Sequence, residues 1–302
     1  MCPTISHSEK PAANPYVVLG IGVLSVSTGA ILVRYAQAEA PSLVIAAYRM
    51  AIAFVVVLVP TLVKCRGELL SLPRRDLMLG VTSGFFLAAH FATWISSLAF
   101  TSVANSTVLV NTIPLWVGLL TPMVTRERLA RATIISIGLS VVGAIVIGLG
   151  IESNSQSSQH LLGGTLATIG AIGAAAYILI GRNLRRRHSL LVYVTVCYGA
   201  AATFLWLAVL VSRQQVVGFS TQTWTCLIAL ALVSQILGHT TYNWTLRYLS
   251  ASMIAVSLLA EPIVSTLLAF VLFSESLAAL QTLGAGLILA GIYLAAKGEG
   301  KA

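Results

Sequence analysis

The chain has 302 residues, 57% of them hydrophobic and only 9% charged, with a mean hydropathy of +0.91. Soluble domains carry about a quarter charged residues, so this composition excludes a soluble enzyme or adaptor and specifies an integral membrane protein. A formal charge of +9 would suit a nucleic-acid partner, but its segregation by loop points to membrane topology instead.

Residues 1–15 are polar and contain Pro3, Pro11 and Pro15, with neither a basic n-region nor a small-residue cleavage site, so they read as a cytoplasmic tail rather than a cleaved signal peptide. Crossing the hydrocarbon core takes roughly 20 apolar residues in a helix. Runs near that length fall at 16–36, 41–63, 77–98, 103–124 and 131–150, then at 161–181, 190–211, 223–246, 251–273 and 278–296. The Ser/Asn/Gln-rich stretch 151–160 separates the two groups and reads as an external linker, and 297–302 as a second cytoplasmic tail. The expected fold is all-α, with ten transmembrane helices.

The two groups align with each other at one offset of 148 residues without a gap. Gly22 matches Gly170, Arg34 matches Arg182, Thr93 matches Thr241, Leu98 matches Leu246, Pro114 matches Pro262, Glu127 matches Glu275 and Gly143 matches Gly291. So long a period marks a duplicated domain, 16–150 and 161–296, rather than a solenoid. Five spans per half is an odd number, so the second half enters the bilayer upside down. Inverted repeats of this kind build secondary transporters.

Lys10, Lys64, Arg66, Arg74, Arg75, Arg126, Arg128 and Arg131 all fall in segments that are cytoplasmic if the N-terminus is inside. So do Arg182, Arg185, Arg186, Arg187, Arg247, Lys297 and Lys301, whereas Arg34 and Arg213 fall outside and Arg49 lies within the second span. This positive-inside bias puts both termini in the cytoplasm of an inner membrane, with lipid rather than nucleic acid as the charge's partner. Cys2, Cys65, Cys197 and Cys226 show no metal spacing, so neither a disulfide framework nor a metal or cofactor is expected.

Polar groups at membrane depth are costly and usually face the bundle interior or a wet cavity. His90 and Trp94 are four apart on the third span; Gln235, His239 and Tyr242 share a face of the eighth by helical spacing, and the offset maps Trp94 onto Tyr242. Each is a candidate substrate contact, against the plainer reading of an interhelical hydrogen bond or packing. Asn111, one turn before Pro114, and Tyr177, in an alanine-rich stretch, carry the same two readings.

Glu261 lies about ten residues, or roughly 15 Å, into the ninth span, near the midplane, and is the only acid there. It is either a proton site or partner for a substrate ammonium, or a carboxyl that stabilises the kink at Pro262. Pro114 and Pro262 deny hydrogen bonds to the carbonyls of Val110 and Leu258, which makes them candidate hinges. Arg49 is too deep to count as a loop charge; an external-gate ion pair with Glu275 or Glu39 is favoured over a substrate carboxylate.

These details resemble a known family. Arg49 early in span two, Pro114 and Pro262 in the fourth helices, Glu127-Arg128-Leu129 and Glu275-Ser276-Leu277 after them, and Gly-rich fifth helices resemble the EamA-type units of the drug/metabolite transporter superfamily, and among those the YddG-type aromatic amino acid exporters. The resemblance implies a central cavity between the halves. One departure is Cys197 where the first half has Arg49. HExxH, GxSxG and Asp dyads are all missing, so no enzyme is indicated. The expected function is export of amino acids, aromatic and other neutral ones, and small amphiphilic metabolites by a monomer working through alternating access. A proton-coupled exporter of organic cations and a membrane scaffold without transport are the alternatives.

Overall fold

In the computed structural model, residues 11–101, 103–124, 131–149, 159–264 and 279–299 are described. They contain helices and no β-strand. The first apolar run forms α1 (Pro15–Ser27), started by Pro15 at its first position and by the Asn14 side chain accepting from Tyr16 N, and α2 (Gly29–Ala36). Then come α3 (Ser42–Lys64), the short α4 (Arg66–Leu70) and α5 (Arg74–Phe100). The fourth run is interrupted: α6 (Val103–Val110) and α7 (Ile113–Val124) flank a turn at Asn111 and Thr112, where Pro114 leaves the Val110 carbonyl without a helical donor. Next are α8 (Arg131–Leu149), α9 (Gln159–Arg185) and α10 (Leu190–Ser212).

The eighth run departs from a plain α-helix. It begins as α11 (Thr221–Ala229), capped by Ser220 Oγ, widens into a π-helix over Leu230–His239, and finishes as α12 (Thr240–Thr245). Last are α13 (Ala251–Leu258), which breaks at Leu259 ahead of Pro262, and α14 (Ala279–Glu299). The breaks at Asn111 and Leu259 sit at positions equivalent under the offset of 148. Cys65 takes part in a disulfide, contrary to the expectation from spacing, which says nothing about approach through space; Cys197 and Cys226 are free.

Six helices are long and apolar enough to cross a membrane: Pro15–Ala36, Ser42–Lys64, Arg74–Phe100, Leu161–Arg185, Leu190–Ser212 and Thr221–Thr245; four shorter apolar helices accompany them. Their outward faces are greasy. Val55, Val59 and Val63, four apart on α3, are 58%, 60% and 78% exposed, a stripe that only lipid would cover favourably.

The packing repeats at the same offset as the sequence. Helix α3 pairs with its own equivalent α10, and α8 with its equivalent α14. The α5–α9 contact recurs where α1 meets the π-helix and α12. Glycines permit these close approaches. A Cβ on Gly170 would come within 3.1 Å of Thr93 Oγ1 and 3.3 Å of Trp94 Cβ, and one on the equivalent Gly22 would strike Thr241 Oγ1 and come within 2.7 Å of Tyr242. The same contact is thus made twice, with Thr93–Trp94 exchanged for Thr241–Tyr242.

Candidate functional site

Where these helices converge they line one partly open cavity, with about 520 Å³ of atom-free space when the adjoining open solvent is counted. His90, Phe91 and Trp94 line it from α5, Tyr177 from α9, and His239 and Tyr242 from the far side. The two broken helices contribute Asn111 and Glu261, and α3 contributes Arg49. Seven of the eight proposed substrate contacts therefore surround one space, and Gln235 touches it through Arg49.

Arg49 is 1% exposed. Its Nε donates to Gln235 Oε1 at 3.0 Å, and its guanidinium carbon lies 4.0 Å from the centre of the Phe91 ring. A guanidinium buried this deeply is fixed from two directions. The external-gate pairing with Glu39 does not form: Glu39 instead accepts from Ser220 N at 2.8 Å and from Thr223 Oγ1 at 2.7 Å. Those bonds, the Ser220 backbone N–H first, hold the Glu39 carboxyl below the usual carboxylate range. The other proposed partner, Glu275, lies outside the described residues.

The rings form a connected set around Phe91. His90 stacks on Trp94 with planes 3° apart and centroids 6.0 Å apart, Phe91 meets His239 edge-on at 5.2 Å, and His239 meets Tyr242 at 5.6 Å. His90 Nδ1 donates to the Gly170 carbonyl at 2.9 Å; since a carbonyl only accepts, that nitrogen carries the hydrogen. Tyr177 donates to Asn243 Oδ1 at 2.7 Å, and Asn243 Nδ2 to Tyr198 at 3.2 Å. Asn111 bonds back to the Thr107 carbonyl at 2.8 Å, within its own broken helix. Glu261, 7% exposed, has no hydrogen bond or ion pair among the described residues.

Buried polar atoms normally find partners. Here Arg49 Nη2, Trp94 Nε1, His239 Nδ1, Tyr242 Oη and Gln235 Nε2 have none, and four of these five belong to cavity-lining side chains. Among the described residues no group of three or more His, Cys, Asp or Glu is placed to hold a metal. Reasoning from sequence missed Phe91 and Asn243. Asn243 was findable as an amide at depth, whereas nothing sets Phe91 apart from other aromatic residues of apolar helices.

The sequence pattern of the EamA-like transporter family matches residues 15–149 and again 161–297. The chain belongs to that family. Among individual EamA-like relatives, it is 25% identical to the uncharacterized transporter YxxF of Bacillus subtilis over 231 residues, which is 76% of this chain and 73% of YxxF. It is 29% identical over 205 residues to the pseudopaline exporter CntI of Pseudomonas aeruginosa, covering 67% of this chain and 68% of CntI. A solved crystal structure superposes with a TM-score of 0.76 at 20% identity, over 95% of this chain and 98% of that one, which shows a shared fold. EamA-like proteins of this kind are transporters, and a transporter needs a membrane-embedded cavity more than it needs a nucleophile.

Proposed function

We propose that this EamA-like protein is an inner-membrane exporter of amino acids, aromatic and other neutral ones, and of small amphiphilic metabolites, akin to the YddG-type exporters. Two inverted five-helix repeats, ten spans in all, would rock about the central cavity, with both termini in the cytoplasm. The observation that carries this reading is the cavity itself. It is walled by aromatic rings and imidazoles, and among the described residues it holds one formal cation, Arg49, and one carboxyl, Glu261, that make no ion pair with each other. Similarity to a protein named as an exporter supports outward movement.

Alternating access needs places where helices can bend. The interruptions at Asn111–Thr112 and at Leu259, each ahead of a proline, supply such hinges next to the cavity-lining Asn111 and Glu261. The test is counterflow in proteoliposomes holding the purified protein, with labelled phenylalanine, tryptophan, methionine and threonine, with and without a pH gradient. Saturable exchange of at least one amino acid is expected. Exchange of organic cations alone would favour the multidrug reading, and no exchange of any solute would favour a scaffold.

A further inference from the structure

A buried guanidinium held only for structure would be expected to meet a carboxylate or a full set of acceptors, because leaving a charged donor unmatched is expensive. Arg49 does neither. Gln235 takes Nε, Phe91 covers one face, and Nη2 has no partner, although Glu261 lines the same cavity. Arg49 and Glu261 make no ion pair within 4.0 Å. The nearby orphan at Trp94 Nε1 is also a pure donor, and the Tyr242 hydroxyl has a hydrogen to give.

Three donors without partners on the wall of one cavity call for a small anionic oxygen group. A carboxylate fits, since its two oxygens accept several such hydrogens and match a guanidinium edge. A phosphate dianion does not, because among the described residues no second cation lines the cavity. The unpaired Glu261 calls for the opposite charge on the same molecule. We propose that Arg49 is the residue that binds the carboxylate of the transported solute, with Trp94 and Tyr242 donating beside it and Glu261 receiving the solute's ammonium group; this rests on the transport reading above. Gln235 and Phe91 are positioning residues that aim the guanidinium. Since the second half has Cys197 at the position equivalent to Arg49, buried beside Ser83 and Tyr193, the solute binds in one orientation only, off the pseudo-twofold axis of the repeat.

The test separates binding from transport. Thermal unfolding of the purified full chain is followed with phenylalanine, with phenylalanine amide, which lacks the carboxylate, and with phenethylamine. Phenylalanine should stabilise the protein at concentrations at least tenfold below those at which either amine does. Arg49→Met should abolish that preference. Should that variant fold poorly, Gln235→Glu serves instead: it pairs the guanidinium internally and should weaken phenylalanine about tenfold or more while leaving the amines unchanged. Equal stabilisation by acid and amide, or an undiminished phenylalanine effect in either variant, overturns the proposal. Counterflow on the same preparations is judged separately. Carboxylate-selective binding without exchange would remove the transport reading and keep the subsite, and exchange without carboxylate selectivity would do the reverse.

Discussion

Tyr177 gives its hydroxyl hydrogen to Asn243 Oδ1 across 2.7 Å, and so ties the cavity wall to a chain of contacts that leaves it. The Asn243 main-chain carbonyl accepts from Arg185 Nε at 2.9 Å, and Arg185 also bonds the His188 carbonyl. The His188 ring lies 2.7 Å from Asp76, which pairs with Arg187 at 2.8 Å, while Glu68 accepts from Ser189 N. Under the proposed orientation, a path of hydrogen bonds joins the solute site to an ionic cluster at the cytoplasmic end.

Removing one member of the Tyr177–Asn243 pair should therefore cost more than removing both. Asn243→Leu strands the Tyr177 hydroxyl in a buried site, at about 1–3 kcal/mol. Adding Tyr177→Phe removes the stranded group and should recover part of the loss. Thermal unfolding in detergent checks this; a double variant no more stable than Asn243→Leu alone would show that the bond contributes little.

Glu39 and Arg187 occupy equivalent positions, and each fastens its loop to the start of a helix of the other half: Glu39 to Ser220 and Thr223, Arg187 to Asp76. Because the folded state lowers the Glu39 carboxyl, its contribution is present above the unfolded value and lost as pH falls through the folded one. Glu39→Gln should thus be less stable than the parent at neutral pH, with the gap closing only in acid, below the ordinary carboxylate range. A gap independent of pH would mean that the amide's geometry, and not the charge, is what differs.

Orientation has a direct check. Ser220→Cys should react with an impermeant thiol reagent added to intact cells, and Arg186→Cys should not, since the proposed topology puts them on opposite sides; the native Cys197 and Cys226 are buried and contribute little background. Labelling at 186 would reverse the topology.

Much of this fold was legible because membrane spans announce themselves by length: the runs 41–63 and 190–211 became α3 (Ser42–Lys64) and α10 (Leu190–Ser212) almost residue for residue. Cavity residues were legible for a related reason, as a polar or ionisable side chain in a greasy helix has few places to go. What stayed hidden depends on backbone or on partners distant in sequence. The residues of the π-helix Leu230–His239 look like any apolar helix. Gln37 bonds the Ile95 carbonyl as Arg185 bonds that of Asn243, at equivalent positions, but unlike side chains aimed at main-chain acceptors leave no trace in an alignment of the halves. Of the two acids that charge complementarity suggested for Arg49, Glu39 turns to Ser220 and Thr223 and Glu275 lies outside the described residues, while the fold supplies an amide and a ring.

Among the described residues Glu261 is the one acid lining the cavity. Glu261→Gln keeps its shape and hydrogen-bonding capacity but removes titration, so if this group exchanges protons with the solute cycle, transport by the variant should lose the pH dependence of the parent. Counterflow and gradient-driven uptake across a pH series decide it, and an unchanged profile would return Glu261 to ammonium binding alone.

Substrate charge gives the last expectation. Sugar phosphates bring two negative charges, and taking a dianion out of water demands clustered Lys or Arg. Among the described residues the cavity offers Arg49 alone, with Glu261 opposing it, so a neutral zwitterion leaves the site balanced and a phosphate monoester leaves it with excess negative charge. Phenylalanine and tryptophan should exchange at least tenfold faster than a hexose phosphate in the same proteoliposomes. Trp94→Ala and Tyr242→Ala should each raise the KM for the aromatic solutes more than that for threonine, because they remove ring surface as well as a donor. Faster movement of the phosphate than of any amino acid would sink the substrate assignment, whereas equal effects of both substitutions on threonine and tryptophan would mean that these residues bind the solute's charged end only.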